Sequence, residues 1–204
     1  DLHSFPTRRS SDLPTAVFST EKIDGVEASL GPEMRSTGEI LGVGKDFNEA
    51  LYKGFLEVSR GKYSDTEHKL TSLVSIDDKA KKEFLPIAIK LVKLGYKLVA
   101  TPGTYEFLTS HGVICDNVND LCTNKEFDVD KIVDSIVNRE FGILINTPTK
   151  ANDIKRAGFK LRRAAIEYGL KTFTSLDTLS NYLDAQEHDD KTAELEVYNL
   201  GRED

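Results

Sequence analysis

The stretch that decides the fold is LTSLVSIDDKAKKEFLPIAIKLVKLGYKLVAT, residues 70–101. Its Val- and Leu-rich start, Leu70–Ile76, predicts a buried strand. Apolar residues at helical spacing between Asp78 and Leu94 predict a helix, and Gly95 marks its end. A second apolar segment, Lys97–Thr101, predicts another strand. A strand, a helix and a strand in this order predict a βαβ unit, whose two strands are parallel.

The same alternation continues along the chain. Further strands are expected at Val113–Val118, Phe141–Asn146 and Lys171–Thr174, and further helices at Thr104–His111, Val129–Asn138, Asp153–Tyr168 and Leu176–Ala185. This order predicts an α/β fold, a three-layer αβα arrangement around a five-stranded, mainly parallel sheet. In such sheets ligands bind beyond the carboxyl ends of the strands, where the strand order reverses. The residues directly after each strand are therefore the candidates for function.

Composition excludes several classes of protein. The 204 residues are 39% hydrophobic and 30% charged, and no apolar run approaches the ~20 residues that a membrane span needs. Residues 186–204 carry seven acidic and two basic side chains, so we expect an acidic tail and no nucleic-acid partner. Cys115 and Cys122 form no CxxC pair. We therefore expect no metal site, and a reducing, cytoplasmic location.

The first residues differ in character from the rest. Residues 1–13 have no helical or strand periodicity, and Phe5–Leu13 match the conceptual translation of a sequencing-library adapter. We therefore expect residues 1–13 to be an artefact and disordered, with the protein's own sequence starting near Pro14. The chain begins without Met, so we also expect it to be part of a longer protein.

A smaller region precedes the α/β domain. A short strand is expected at Ala16–Phe18, and the glycines of Ser29–Gly44 predict turns and bends rather than a regular element. A helix is expected from Asp46, its N-cap, to Ser59. The polar residues 61–68 predict a linker. The expected domains are therefore residues 14–60 and residues 69–185, with the tail from residue 186.

Polar residues and one glycine cluster at or after the ends of three of the predicted strands. These residues are Lys79, Thr101, Gly103, Thr104, Asn146, Thr147 and Lys150. Hydroxyl groups at the start of a helix, together with its unpaired N–H groups and dipole, favour an anion, so a phosphate or carboxylate cradle is one interpretation. The same residues could instead be helix caps and turn residues. The pattern alone leaves both interpretations open.

No arrangement of side chains indicates catalysis. Acid–base chemistry needs a His or paired carboxylates near the reacting group, and His111 is expected only to cap a short helix. Cys115 falls in a predicted strand, and Cys122 has no His near it in sequence, so neither predicts a nucleophile. Arg162 and Arg163 point about 100° apart on one helix. One of them is expected to face solvent, and the other could bind an anion.

Two further sets of residues identify a family. The run GPEMRSTGE, Gly31–Glu39, resembles the segment that closes the second ATP-grasp unit of the carbamoyl-phosphate synthase large chain. Residues 69–185 resemble the carboxyl-terminal allosteric domain of that chain, which has the methylglyoxal-synthase-like fold. The matching landmarks are Ser75–Lys79, Ala100–Thr104, Ile145–Thr147 and Leu161–Ala165. The resemblance implies a domain of this fold preceded by a remnant of an ATP-grasp domain.

The resemblance implies a division of labour. The complete large chain is a ligase that makes carbamoyl phosphate from bicarbonate, ATP and ammonia, for arginine and pyrimidine biosynthesis. A glutaminase small subunit supplies the ammonia, and Mg or Mn and K are the cofactors. The ATP-grasp sites are almost wholly absent here, so this chain is expected to be inactive alone and to hold no cofactor. Its terminal domain is expected to bind a nucleotide monophosphate such as UMP or IMP and to offer a surface for homo-oligomers.

The resemblance also assigns residues. The positions that match the family's effector-phosphate pocket are Lys79, Thr101, Gly103, Thr104, Asn146 and Thr147, with Lys150, Arg162 and Arg163 in supporting positions. Two positions depart from the family, since Asp120 replaces an expected lysine and Pro148 an expected threonine. Replacing a lysine by a carboxylate weakens phosphate binding, and Lys125 or Lys150 is the candidate to compensate.

Two alternatives remain open. Methylglyoxal synthase, a lyase, shares the fold, but residues 124–130 lack the Gly-Gly-Asp pattern of that family. A free-standing nucleotide-binding regulatory module is the other alternative. The run at Leu30–Gly44 argues against it, because it implies an enzyme upstream.

Overall fold

The computed structural model describes residues 11–17, 38–59, 70–122, 124–148 and 157–189. The chain divides into two compact units, each made of more than one segment of the sequence. The described residues of the first unit are 11–17, 38–59 and 181–189, and those of the second are 70–122, 124–148 and 157–180. Most of the GPEMRSTGE run, the linker, Lys150 and the end of the acidic tail lie outside the described residues.

The first unit contains an antiparallel hairpin and a helix. Strand β1 (Ser11–Val17) pairs with β2 (Gly38–Gly44), and helix α1 (Phe47–Ser59) packs on both strands. Asp46 caps α1 as expected, because its Oδ1 accepts a bond from Glu49 N–H at 3.0 Å. Strand β1 starts before Pro14, so the expectation of disorder is wrong for residues 11–13. The backbone of residues 11–13 pairs with β2, and backbone pairing can form without alternating apolar and polar side chains.

The glycines of β2 have a packing role that the sequence analysis missed. We expected turns here, but Gly38–Gly44 is a regular strand. A Cβ at Gly42 would lie 2.0 Å from Ala50 O, and a Cβ at Gly44 would lie 2.4 Å from Ala50 N. The glycines therefore let the backbone of α1 approach the strand more closely than any side chain allows.

The second unit is built on the predicted five-stranded sheet. Its strands are β3 (Thr71–Ser75), β4 (Lys97–Ala100), β5 (Asp116–Asn117), β6 (Ile143–Asn146) and β7 (Lys171–Phe173). Their order is β5-β4-β3-β6-β7, and every neighbouring pair is parallel. The α/β fold class is thus confirmed. From the central β3 the chain continues through β4 to β5 at one edge of the sheet. It then crosses to β6 on the other side of β3 and ends at β7, so the strand order reverses at β3.

Helices connect the strands at the predicted places. They are α2 (Lys81–Lys93), α3 (Pro102–Ser110), a 3₁₀ helix at Val118–Leu121, α4 (Val129–Val137), α5 (Ala157–Glu167) and α6 (Leu176–Asp189). Helix α2 starts three residues after the expected Asp78, because Asp77 O accepts a bond from Ala80 N–H and forms a turn. Within the described ranges, no helix is long and apolar enough to cross a membrane.

The shortest strand is β5, at one edge of the sheet. A strand was expected over Val113–Val118, but only Asp116 and Asn117 pair with β4. The side chain of Asn117 accepts a bond from Asn119 N–H at 3.0 Å, which turns the chain into the 3₁₀ helix.

Successive side chains along each strand point to opposite faces of the sheet, and both faces are buried. Leu73, Val99 and Leu144 are paired across β4, β3 and β6 and pack in one cluster with buried residues of α4 and α5. The next residues along the strands, such as Val74 and Ala100, point to the opposite face and are fully buried as well. A parallel sheet buried on both faces is the arrangement that the hydrophobic strand segments predict.

Candidate functional site

Three loops meet at the carboxyl edge of the sheet around β3. The backbone N–H of Ile76 donates to Thr104 Oγ1 at 3.1 Å, and the N–H of Asp77 donates to Thr147 Oγ1 at 2.7 Å. These two bonds join the loop after β3 to the loop after β4 and to the loop after β6. The sequence-predicted positions therefore converge where the strand order reverses, which is the usual ligand position in such a sheet.

Thr101 stands at the start of α3 without capping it. Its backbone is extended, Pro102 is the first helical residue, and Thr101 O accepts from the N–H groups of Thr104 and Tyr105. Its side chain makes no cap bond, and Oγ1 donates to Thr104 Oγ1 at 3.3 Å instead. The interpretation of Thr101 as a side-chain cap is therefore wrong, and its half-buried hydroxyl oxygen lies at the loop junction.

Two of the predicted site residues are buried inside the junction. Thr104 is 1% exposed and Asn146 is 3% exposed. The amide of Asn146 is engaged at both ends, since Nδ2 donates to Ser75 O at 3.4 Å and Oδ1 accepts from Arg162 Nη1. These side chains hold the loops in place, and the more exposed members at this edge are Lys79, Thr101, Gly103 and Thr147.

Of the paired arginines, the structure brings Arg162 to the junction. Arg162 is 7% exposed and reaches Asn146 from α5, whereas Arg163 Nη2 pairs with Glu167 Oε1 at 3.3 Å on the same helix. A Cβ at Gly158 would lie 3.4 Å from Arg162 Nη1 and 3.4 Å from Asn146 Nδ2. An alanine at position 158 would therefore just reach van der Waals contact with these two side chains.

Lys81 is a residue at this edge that the sequence analysis missed. Its Nζ donates to Gly103 O at 2.7 Å and pairs with Asp78 Oδ1 at 2.5 Å. The predicted Lys79 lies exposed in the turn before α2, and among the described residues its side chain has no hydrogen-bond or ion-pair partner. No sequence signal identified Lys81, because the helix was expected to begin at Asp78 and only the structure places Lys81 at its first residue.

The two departures from the family pattern both fall on the exposed surface. Asp120 lies in the 3₁₀ helix after β5, at the same edge of the sheet, and Pro148 follows Thr147. Lys125 is exposed with a φ of 56° in the loop that follows. The other candidate to compensate, Lys150, lies outside the described residues.

The remaining titratable candidates have structural roles. His111 ends α3, where its Nδ1 lies 2.8 Å from Phe107 O and its ring lies against that of Phe107.

Burial and the adjacent Asp116 raise the pKa of the Cys115 thiol, which disfavours the nucleophilic thiolate. Asp128 Oδ1 caps α4 by accepting from the N–H groups of Asp130 and Lys131. In the part of the chain that the structure describes, no three His, Cys, Asp or Glu residues are grouped to hold a metal ion.

Comparison with known proteins agrees with the fold. A family model described as MGS-like domain matches residues 83–174. The carbamoyl phosphate synthase large chain of Clostridium botulinum strain Eklund 17B is 46% identical over 201 residues, which is 98% of this chain and 18% of that protein. The large chain of the Langeland strain is 49% identical over 184 residues, 90% of this chain and 17% of that protein.

A solved structure described as "Crystal structure of ForH" aligns with a TM-score of 0.42 and 20% sequence identity, over 58% of this chain and 80% of that chain. This chain spans less than a fifth of the length of its curated relatives. It contains an MGS-like domain and is a homologue of carbamoyl phosphate synthase large chains over nearly its whole length.

Proposed function

We propose that this chain is the carboxyl-terminal regulatory part of a carbamoyl phosphate synthase large chain and that it binds a phosphorylated effector. The observation that carries the proposal is the junction at the carboxyl edge of the sheet. There, the Thr104 and Thr147 hydroxyls fix the loop after β3, and Thr101 and Gly103 present a hydroxyl and the start of α3. Hydroxyl groups and a helix N-terminus are suited to an anion.

The whole enzyme would supply the chemistry that this part lacks. In the proposal, the parent is a cytoplasmic ligase that makes carbamoyl phosphate from bicarbonate, ammonia and ATP, with Mg or Mn and K. A glutaminase small subunit supplies its ammonia, and arginine and pyrimidine biosynthesis use its product. The chain described here would be inactive alone, would bind UMP or IMP, and would contribute a surface to a homo-oligomer. Its similarity to named large chains supports this assignment.

The proposed site has an inner and an outer group of residues. Thr104, Asn146 and Arg162 are buried and hold the loops together, so they act by positioning. Lys79, Thr101, Gly103 and Thr147 are more exposed and would contact the phosphate. The proposal therefore keeps the residues that the resemblance assigns but gives two of them, Thr104 and Asn146, a supporting role.

Calorimetric titration of the 204-residue chain with UMP and with IMP tests the proposal. We expect saturable binding, weakened about tenfold by Thr101→Val, which removes a hydroxyl that would bond a charged phosphate. Thr109→Val is the matched control, since Thr109 lies exposed at the far end of α3 and should leave the affinity unchanged. Equal affinities of both variants and the wild type would place the site elsewhere.

Activity assays test the assignment to a regulatory part. We expect no carbamoyl phosphate from bicarbonate, ammonia and MgATP with the purified chain, and measurable synthesis would contradict the proposal. Formation of methylglyoxal from dihydroxyacetone phosphate would instead establish the lyase alternative.

A further inference from the structure

We propose that the last part of the acidic tail, residues 190–204, binds the exposed face of helix α2 in the same molecule. Ile89 and Val92, with Lys82 and Lys93 beside them, define this face of α2. Residues 190–204 lie outside the described residues and are called the terminal segment below. The proposed function uses neither the terminal segment nor this face of the helix.

Two large apolar side chains of α2 are exposed on one side of the helix. Ile89 is 42% exposed and Val92 is 36% exposed, and residues three apart on a helix are neighbours. Leu70, which is 40% exposed, continues the apolar surface, because its Cδ1 lies 3.6 Å from the position of a Cβ at Gly95, just after α2. Among the residues that the structure describes, no other helix carries two exposed large apolar side chains. Grouped apolar side chains of this kind mark a contact surface, whereas single ones do not.

The same face of α2 is basic. The helix contains four lysines and one glutamate, a net charge of +3 in a chain whose net charge is −7. Lys82 and Lys93 lie within about 40° of Ile89 around the helix axis. Both are exposed, and in the part of the chain that the structure describes neither has a hydrogen-bond or ion-pair partner. A partner that complements this face is therefore both apolar and acidic.

The terminal segment has these two properties. It carries five acidic and two basic side chains, so its net charge is 2 − 5 = −3. Within it, Glu194 and Glu196 alternate with Leu195 and Val197, and Leu200 follows. Helix α2 has 13 residues and is therefore about 20 Å long, and the seven residues 194–200 would span up to about 23 Å in extended form. The acidic and apolar part of the segment thus matches α2 in length as well as in charge.

The length of the terminal segment allows binding within one molecule. Helix α6 ends at Asp189, and the fifteen residues beyond it can span up to about 50 Å. A domain of ~110 residues has a radius of gyration of about 13 Å, so the segment is longer than such a domain is wide. A short flexible tether gives an effective concentration in the millimolar range. The segment of the same chain is therefore favoured over that of a second copy.

The contact is expected to depend on salt. Ion pairs at an exposed surface contribute little individually and are screened at high ionic strength. The apolar contact with Ile89 and Val92 has to supply the rest of the binding free energy, and it is not screened. Charge reversal and removal of an apolar side chain should therefore each release the segment.

Chymotrypsin cleavage after Tyr198 in the 204-residue chain tests the proposal. A bound segment is cleaved only while it is dissociated, so the rate reports the dissociated fraction. Release of residues 199–204 is followed by mass spectrometry, and a free peptide of residues 190–204 gives the rate for an unbound segment. We expect the wild type to be cleaved at least about fivefold more slowly than this peptide, and within about twofold of it in 0.5 M NaCl.

Variants of α2 locate the binding surface. Ile89→Asp, and separately the pair Lys82→Glu and Lys93→Glu, should raise the cleavage rate to within about twofold of the free peptide. Val137→Asp is the matched control, because Val137 is 37% exposed on α4, and it should leave the segment protected. The inference is overturned if the wild type is cleaved as fast as the peptide. It is also overturned if Val137→Asp removes the protection as fully as Ile89→Asp does.

Charge reversal on the terminal segment gives an independent check. Glu194→Lys with Glu196→Lys should remove the protection, judged against a peptide of the same sequence, and combining it with the two lysine reversals should restore it. Thermal unfolding of each variant checks folding. If the helix variants do not fold, the segment variant decides, and unchanged protection in it would overturn the inference. Protection that increases with the concentration of the chain would place the segment on a second copy and would contradict binding within one molecule.

Discussion

Replacing Thr104 by Val tests whether this residue supports the site or binds the ligand. Valine has nearly the same shape and helix propensity, so the change removes the hydroxyl with little other effect. Thr104 Oγ1 accepts from Ile76 N–H at 3.1 Å and from Thr101 Oγ1 at 3.3 Å, in a position that is 1% exposed. Without it, the Ile76 N–H at this buried junction loses its acceptor.

The expected loss of stability follows from that unpaired group. Leaving a buried N–H without an acceptor costs about 2 kcal/mol, within the usual range for such groups. For a chain of this length the corresponding fall in melting temperature is about 4–8 °C. Differential scanning calorimetry of the wild type, Thr104→Val and Thr101→Val measures it, and we expect Thr101→Val to melt close to the wild type. The reasoning is refuted if Thr104→Val melts like the wild type while its affinity for UMP falls tenfold.

Two other predictions concern the fold. Gly42→Ala should destabilise the hairpin unit by about 2 kcal/mol or more, measured by urea unfolding, because its Cβ would lie 2.0 Å from Ala50 O. A variant that is as stable as the wild type would contradict the close packing of α1 on β2. Burial lowers the pKa of Lys171 from its ordinary value to about 8, so the unfolded chain holds this proton to higher pH than the folded chain. The stability of the wild type relative to Lys171→Met should therefore rise between about pH 8 and pH 10, and a flat or falling difference would contradict that pKa.

Hydrophobic pattern was sufficient to predict the sheet. The short, largely apolar segments that contain β3 and β6 lie between helical patterns, which favours buried strands in a parallel order. Local hydrogen bonding was predicted equally well at Asp46, which caps α1 as expected. In both cases the physical cause acts between residues that are near in sequence.

The errors arise where the cause is distant in sequence. The glycines of β2 suggested turns, because a glycine required by the approach of α1 has the same sequence signature as a glycine required by a turn. The end of β5 depends on one side-chain bond of Asn117, which no hydrophobic pattern reveals.

The candidate site was predicted in position but not in detail. Strand ends identify the loops that meet, so Thr101, Thr104 and Thr147 were found together. Which side chain is buried depends on packing between segments that are up to 71 residues apart in sequence, as for Ser75 and Asn146. The same limit hid Lys81, whose contact with Gly103 joins residues 22 positions apart.

Amide chemical shifts during a UMP titration test the central claim most directly. The claim is that an effector phosphate binds at the carboxyl edge of the sheet, beside the start of α3. We predict saturable shifts at the N–H groups of Gly103, Asp77 and Thr147, with little change at Lys93 on the opposite end of α2. Saturable shifts confined to other parts of the chain, or none at all, would contradict it.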